Sequence, residues 1–392
     1  MENVLNPWEV KGEIDYEQLM KQFGIAGMDE YIGKIPDHIL FRRGIVYGQR
    51  DFSRIADAIA NKKQFIMMTG LMPSGKFHFG HKLVADQILY YQSLGAKIYL
   101  CVADLEAYNT RLGDLEELKK IAIEEYLVNY IALGLKPKNL DFYFQSNRSK
   151  DSEKSNKYYK LAAMAARHIT FNEIQAIYGD LSPGKITSAL IQVSDMLHPQ
   201  LIEGPVPTIV PVGFDQDPHI RLARDISQRM TTGPSEDSVK ISSDRLQIPE
   251  SSNDSAKLSF IQLSSTCHKF IPGLKGGKMS SSDPYSYVSL TDSVEEANDK
   301  IMKHAFSGGR NSLEEHRRLG GNPEIDVCFQ WLYAFVEPKD KKIKKIEEDY
   351  KSGKLLTGEL KQYTVELLTK FLEKHQKARE AAKSKIGRFL KN

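Results

Sequence analysis

Cysteine is scarce in this chain of 392 residues. Its three cysteines, Cys101, Cys267 and Cys328, lie far apart and show no CxxC spacing. This pattern argues against a disulfide framework and against a zinc site, so no metal-ligand set is predicted. We expect all three cysteines to be reduced thiols.

Long apolar runs are also lacking. No stretch reaches the roughly 18 to 20 residues that a membrane span needs, and the first residues have no apolar segment typical of a signal peptide. We therefore expect no membrane association and a cytoplasmic location.

The net charge is small, but it is unevenly distributed. Residues 337–392 hold 16 Lys and Arg against 9 Asp and Glu, a charge of +7, which leaves −4 for the rest of a chain whose total is +3. A basic terminal segment can bind a phosphate backbone because binding releases counterions. A Lys-rich solvated helix face explains the same charge equally well.

Hydrophobic periodicity predicts an α/β protein. The segments 65–69, 79–94 and 97–103 read as strand, helix and strand, and 207–212 followed by 217–230 reads as a further strand and helix. Together they predict a doubly wound parallel sheet. Between the two halves, residues from about 108 to 200 read as mainly helical, which predicts a helical insertion.

The remaining segments complete a predicted division of the chain. Residues 1–60 form an N-terminal appendage, 61–287 the sheet domain with its insertion, and 288–392 a separate α-helical domain. Residues 235–255, rich in Ser, Asp and Pro, read as an exposed loop or hairpin.

The first chemical motif follows the first strand, in the segment TGLMPSGKFHFGH of residues 69–81. Residues 70–76 match the start of a P-loop, GxxxxGK, but Phe77 stands where that loop needs Ser or Thr to hold magnesium. The segment reads better as PSGxxHxGH. Here His78 and His81 lie on one face of a beginning helix, beside unpaired backbone N–H groups that suit a nucleotide.

Neutral imidazoles can hydrogen-bond phosphate and ribose oxygens, and Gly80 leaves room for an adenine ring against the backbone. The structural alternative is that both histidines only cap the helix.

The second motif is GGKMSSS, residues 276–282. A glycine-hinged loop with one ammonium group and three hydroxyls can close over a triphosphate and neutralise the departing pyrophosphate. Alone, the motif is equally consistent with a flexible polar loop. The order of the two motifs along one chain favours the nucleotide interpretation.

The pair HxGH and KMSSS resembles the two signatures of the class I aminoacyl-tRNA synthetases. The segments AFSGG (305–309), EEHR (314–317), GGN (320–322) and DQDP (215–218), with parts of residues 6–44, resemble the archaeal and eukaryotic tryptophanyl-tRNA synthetases over nearly the whole chain. The resemblance implies a Rossmann-like, HUP-type catalytic domain and an anticodon-binding role for 288–392. It also implies tryptophan, ATP with Mg²⁺ and tRNA(Trp) as ligands, and a homodimer; DNA is not an expected partner.

The resemblance also implies a set of site residues. Catalytic roles fall to His78, His81, Lys278 and Ser280. ATP-binding roles fall to these and to Thr69, Gly70, Pro73, Ser74, Gly75, Lys76, Gly80, Gly213, Phe214, Met279, Ser281 and Ser282. Amino-acid-binding roles fall to Met68, Cys101, Glu106, Gln192, Asp215 and Gln216.

The sequence departs from the eukaryotic pattern at three positions. Met68 stands where those enzymes have tyrosine, Cys101 where they have glutamine, and Leu71 where they have arginine, so Lys76 is the candidate for the missing charge. Tyrosyl-tRNA synthetase is the nearest rival, since Asp195 in the segment QVSD could bind a phenol. The residues also leave open a small-molecule nucleotidyltransferase and a non-catalytic tRNA-binding relative.

Overall fold

The computed structural model describes residues 4–6, 9–11, 15–110, 113–232, 259–280 and 283–390. The predicted loop at 235–255 lies outside these ranges. In the described part, the strands are β1 (Val4–Asn6), β2 (Glu9–Lys11), β3 (Ala26–Gly27), β4 (Val46–Arg50), β5 (Ile66–Leu71), β6 (Lys97–Val102), β7 (Leu140–Phe144), β8 (Thr208–Gly213) and β9 (Ser264–His268).

Strands β1 and β2 form a small sheet of their own. The other seven strands form the main sheet, and helices lie around it. They are α1 (Tyr16–Phe23), α2 (Ile39–Arg42), α3 (Ser53–Ala60), α4 (Phe79–Ser93), α5 (Asp104–Thr110), α6 (Leu115–Ile121), α7 (Val128–Leu133), α8 (Ser152–Ala165), α9 (Phe171–Tyr178), α10 (Pro183–Glu203), α11 (Asp217–Thr232), α12 (Val294–His304), α13 (Leu313–Leu319), α14 (Val327–Trp331), α15 (Asp340–Lys351) and α16 (Thr357–Lys383). None of these helices is both long and apolar enough to cross a membrane.

One seven-stranded sheet organises the chain, in the order β3-β4-β9-β8-β5-β6-β7. The five strands from β9 to β7 are parallel, whereas β3 and β4 are antiparallel additions at one edge. From β5 the chain winds outward to β6 and β7, and from β8 it winds the other way to β9. The prediction of a doubly wound sheet is therefore confirmed, and its switch point lies between β5 and β8.

Two features add detail to the predicted division of the chain. The segment 108–200 is mainly helical but also contains a strand, because Leu140–Phe144 forms β7 and pairs in parallel with β6. Asp141 interrupts the apolar pattern of this short strand, so the pattern does not predict a strand there. The carboxylate of Asp141 is buried and forms an ion pair with Arg148. The first 60 residues are more than an appendage, since β4 pairs with β9 and extends the sheet.

The sheet separates two hydrophobic clusters, because alternate residues of a strand point to opposite faces. Ile66, Met68 and Cys101 pack with α8, α10 and α11 on one face. Met67 and Leu71 pack on the other face in a cluster that also contains Trp331 and side chains of α16. The C-terminal helices and the first βαβ unit thus share one core. All three cysteines are free and buried.

Candidate active site

A cavity of about 900 Å³ opens at the carboxyl ends of the parallel strands, where β5 and β8 diverge. Thr69 to Leu71 at the end of β5, Cys101 near the end of β6 and Val210 to Gly213 of β8 line it. The crevice at such a switch point is where open α/β sheets bind ligands. The fold therefore supplies the volume, and the loops after the strands supply its chemistry.

Both sequence motifs face this single cavity. His78, Gly80 and His81 line one wall, while Lys278, Met279 and Ser280 line another. The chain that follows the second motif also pairs with the first, since Leu290 N donates to Phe77 O at 2.9 Å. One ligand can accordingly contact both motifs.

His78 and His81 cap α4 as well as lining the cavity. Gly80 N donates to His78 Nδ1 at 3.1 Å, and His78 N donates to His81 Nδ1 at 3.2 Å. The two rings are stacked with centroids 3.8 Å apart. Capping is thus present together with exposure to the cavity, and it engages Nδ1 of each ring. Nε2 of His78 is then the nitrogen available to a ligand, whereas Nε2 of His81 lies 3.5 Å from Tyr126 OH.

Burial keeps both imidazoles neutral. It lowers the pKa of His78 to about 4 and lowers the pKa of His81 well below its ordinary value, with His78 adding a smaller effect on His81. At neutral pH the rings therefore act as hydrogen-bonding groups rather than as cations.

Glycine is needed at position 80 because the two motifs approach closely there. A Cβ atom on this residue would lie 2.9 Å from His78 Cε1 and 3.4 Å from Met279 Sδ. Any side chain would push the histidine or the methionine away.

Lys278 already has an acidic neighbour. Its Nζ lies 3.5 Å from Asp215 Oδ2, and its side chain is 45% exposed. Ser280 lines the cavity, and its backbone N donates to Ser286 Oγ at 3.0 Å. Ser281 and Ser282 lie outside the described residues.

The structure places the other predicted ATP-side residues in two groups. Those that line the cavity are Thr69, Gly70, Ser74, Gly213 and Phe214. Pro73, Gly75 and Lys76 belong to the same turn but are not among the lining residues. Lys76 instead points towards Asp292, with Nζ 3.5 Å from Oδ1.

All six predicted amino-acid-binding residues, Met68, Cys101, Glu106, Gln192, Asp215 and Gln216, line the cavity. Gln192 Nε2 donates to Glu106 Oε2 at 2.6 Å, which joins α10 to α5 across the cavity wall. Tyr178 OH donates to Gln192 Oε1 at 3.2 Å. The amide and the carboxylate are therefore held in place before any ligand arrives.

Asp195, which the sequence suggested only as a ligand for a phenol, is the most highly connected carboxylate in the wall. Oδ1 accepts hydrogen bonds from Tyr158 OH at 2.7 Å, Tyr143 OH at 2.9 Å and Cys101 Sγ at 3.2 Å. Oδ2 accepts from Gln145 Nε2 at 2.7 Å. Burial raises the pKa of Asp195, and these donors oppose that effect.

Several lining residues have no signal in the sequence motifs, among them one glutamine and two histidines. Gln145 follows β7, a strand that the pattern did not predict, His268 ends β9, and His219 lies in the first turn of α11. Burial lowers the pKa of both histidines to about 4. His268 lies at the carboxyl end of a parallel strand, where open α/β sheets bind ligands. Recognising β9 in the sequence would therefore have predicted His268 as a site residue.

The described residues contain no cluster of three or more His, Cys, Asp or Glu side chains arranged to hold a metal ion. Mg²⁺ that accompanies ATP fits such a site, because this ion keeps several waters and binds mainly through substrate phosphates.

Comparison with known proteins agrees with this geometry. The sequence matches the family model described as tRNA synthetases class I (W and Y) over residues 60–373. The tryptophan–tRNA ligase of Hyperthermus butylicus is 42% identical, with 98% of this chain and 97% of that protein covered. The ligase of Methanocaldococcus jannaschii is 40% identical, with 98% of each chain covered.

Solved structures give the same result. The crystal structure of tryptophanyl-tRNA synthetase from Aeropyrum pernix superposes with a TM-score of 0.85 at 40% identity and covers 98% of both chains. That of Plasmodium falciparum superposes with a TM-score of 0.78 at 26% identity, covering 96% of this chain and 95% of the other.

Proposed function

Because the chain belongs to the class I tRNA synthetases for tryptophan and tyrosine, we propose that it is a tryptophan–tRNA ligase. It activates tryptophan with ATP and transfers the aminoacyl group to tRNA(Trp). The observation that carries this proposal is the meeting of HxGH and KMSSS around one cavity at the switch point of the sheet.

The reaction has two steps. The tryptophan carboxylate attacks the α-phosphate of ATP, forming tryptophanyl-adenylate and releasing pyrophosphate. A ribose hydroxyl at the 3′ end of the tRNA then attacks the carbonyl carbon, and AMP leaves. In phosphoryl transfer the protein contributes mainly alignment and charge stabilisation.

His78, His81, Thr69 and Gly70 form the nucleotide cradle in this proposal. Because Nδ1 of each neutral ring accepts a backbone N–H, the proton lies on Nε2 and can be donated to phosphate or ribose oxygens; for His81 this bond replaces the 3.5 Å contact with Tyr126 OH. Lys278 and Ser280 form the clamp on the departing pyrophosphate. The ion pair between Lys278 and Asp215 supports the clamp role. Because the Lys278 side chain is 45% exposed, this ion pair contributes little free energy, and Lys278 can exchange Asp215 for a polyphosphate.

For the amino acid, Glu106 is suited to the α-ammonium group, with Gln192 orienting it. Asp195 is suited to accept the indole N–H. Oδ1 already accepts three hydrogen bonds, whereas Oδ2 accepts one from the described residues and retains a lone pair. In this assignment, Asp195 provides the contact with the indole in place of the tyrosine and glutamine that the eukaryotic pattern has at the positions of Met68 and Cys101.

The remaining partners follow from the same function. The basic segment 337–392 is suited to the phosphate backbone of tRNA(Trp), and we propose that residues 288–392 bind the anticodon. A homodimer, Mg²⁺ supplied with ATP and a cytoplasmic location, where tRNA is charged for translation, complete the proposal.

Tyrosine is the alternative substrate, because the family model covers both amino acids and a carboxylate at Asp195 can accept a phenol O–H as well as an indole N–H. Met68 offers no hydroxyl to share with a phenol, which favours tryptophan. ATP–pyrophosphate exchange measured with each of the twenty amino acids decides between them. Exchange with tyrosine and not tryptophan would transfer the assignment, and exchange without any charging of tRNA would favour a small-molecule nucleotidyltransferase.

A further inference from the structure

The base of the KMSSS loop is held by the C-terminal helices. Trp331, at the end of α14, is almost fully buried and donates from Nε1 to the backbone oxygen of Pro272 at 2.8 Å. Phe306 N donates to Leu274 O at 2.6 Å, and Leu274 N donates to Ser286 O at 2.7 Å. The segment that leads into the Lys278 loop is therefore held by the side chain of Trp331, which lies far downstream in the sequence.

The same tryptophan contacts the first motif. Its ring packs on Phe79, with centroids 5.4 Å apart, and Phe79 lies between His78 and Gly80 in the HxGH turn. Phe335 stacks on Phe79 at 5.0 Å with an interplanar angle of 8° and lies 6.0 Å from Trp331. Phe371 of α16 closes this aromatic cluster at 5.6 Å from Phe79.

Trp331 thus contacts the segments that carry both motifs without lining the cavity itself. The ring fixes its position relative to the histidines, and its N–H fixes the loop that delivers the ammonium group. Pro272 is buried, so loss of the donor leaves its carbonyl without this hydrogen bond, and the loop base must shift to find another partner. Small displacements of a group that stabilises a transition state are costly to rate.

We propose that Trp331 is a positioning residue for adenylate formation, setting the distance between the HxGH turn and the KMSSS loop. The proposal rests on the proposed function, because it takes ATP as the ligand that both motifs contact. Trp331 is not among the residues that line the cavity, so its effect passes through its contacts with Phe79 and Pro272.

The test compares Trp331→Phe with wild type in ATP–pyrophosphate exchange, with rates normalised to active sites by titration. Phenylalanine keeps an aromatic ring and removes the N–H donor. We expect kcat per active site to fall about tenfold and the KM for pyrophosphate to rise, with the KM for tryptophan within about twofold of wild type. Normalisation matters because general destabilisation lowers the number of active sites and leaves these constants unchanged.

Tyr90→Phe is the matched control. Tyr90 is also buried and aromatic and also donates to a proline carbonyl, Pro36 O at 2.8 Å, but it lies near the other end of α4. We expect this variant to lose comparable stability in a thermal melt and to keep the exchange constants of wild type.

Phe335→Leu keeps the proposal testable if Trp331→Phe fails to fold, since Phe335 is only partly buried and its loss loosens the ring packing on Phe79. It should also lower kcat and leave the KM for tryptophan unchanged. The positioning role is overturned if the folded variants show exchange constants within twofold of wild type, or if the KM for tryptophan changes as much as kcat does. Absence of tryptophan-dependent exchange in wild type would instead overturn the proposed function, and this inference with it.

Discussion

Asp195→Asn is the most informative substitution in the cavity, because the four donors around Asp195 leave an amide no satisfactory orientation. In wild type, Gln145 Nε2 donates to Oδ2 at 2.7 Å. If the oxygen of the new amide takes the place of Oδ1, its NH₂ group takes the place of Oδ2, and two donors face each other. Turning the amide of Gln145 does not help, since its Oε1 accepts from Glu106 N at 3.1 Å. A turned Gln145 would place its NH₂ group against the backbone N–H of Glu106, so two donors would still face each other.

The expected magnitude follows from the hydrogen bond that the ligand loses. A hydrogen bond to a charged group contributes about 1.5 to 3 kcal/mol. With about 1.4 kcal/mol for each factor of ten, kcat/KM for tryptophan should fall roughly 10-fold to 150-fold. The KM for ATP should change little, because Asp195 lies on the amino-acid side of the cavity among Cys101, Tyr143 and Tyr158.

Exchange kinetics with tryptophan and with its benzothienyl analogue, in which sulfur replaces the indole N–H, provide the assay. Wild type should prefer tryptophan strongly, and Asp195→Asn should lose most of that preference. Tyr158→Phe is the comparison variant, because it removes one of three donors from the crowded Oδ1 and leaves Oδ2 charged, so we expect the preference to persist. An unchanged preference for tryptophan in folded Asp195→Asn would refute the assignment of the indole acceptor.

Three further substitutions probe other parts of the molecule. Lys278→Ala should lower kcat for exchange by about 100-fold while the KM for tryptophan stays within about threefold; equal losses in both would contradict the clamp. Gly80→Ala places a Cβ 2.9 Å from His78 Cε1 and should raise the KM for ATP about tenfold; an unaltered value in steady-state kinetics would show that the close approach is unimportant. Burial lowers the pKa of His375 to about 4, so the unfolded chain binds a proton there between that value and about 6.5, and stability is lost as the pH falls through this window. His375→Gln should therefore remove about 2 kcal/mol of the destabilisation between pH 7 and pH 5, and thermal melts with the same pH dependence as wild type would disprove this.

The sequence was sufficient for those parts of the fold whose local pattern agrees with their tertiary environment. Strands β5 and β8 are buried on both faces and read as short apolar runs. The amphipathic spacing after His78 marks α4. Residues at the ends of these elements, such as Thr69, His78 and Gly213, line the cavity, and their position follows from the topology of the sheet.

The parts that were missed depend on contacts between distant segments. Strand β7 contains Asp141, whose burial is possible only because Arg148 and Lys154 neutralise it. Lys76 remains a predicted ATP-side residue, but its pairing with Asp292, more than 200 residues away, is a contact that no local pattern shows. Asp195 gains its importance from donors on β6, β7 and α8 that no local pattern brings together.

The two faces of the sheet divide the chemistry of the cavity between them. Met68, Cys101, Tyr143 and Tyr158 belong to the cluster beneath α8 and α10, and this cluster holds Asp195. Phe79, Met279 and Trp331 belong to the opposite cluster, which the C-terminal helices share. Substitutions in the first cluster should consequently change the KM for tryptophan, and substitutions in the second should change the constants for ATP and pyrophosphate. Since α16 contributes to the second cluster only, substitutions of its buried residues Leu368 and Leu372 should change the constants for ATP and pyrophosphate and leave the KM for tryptophan unchanged.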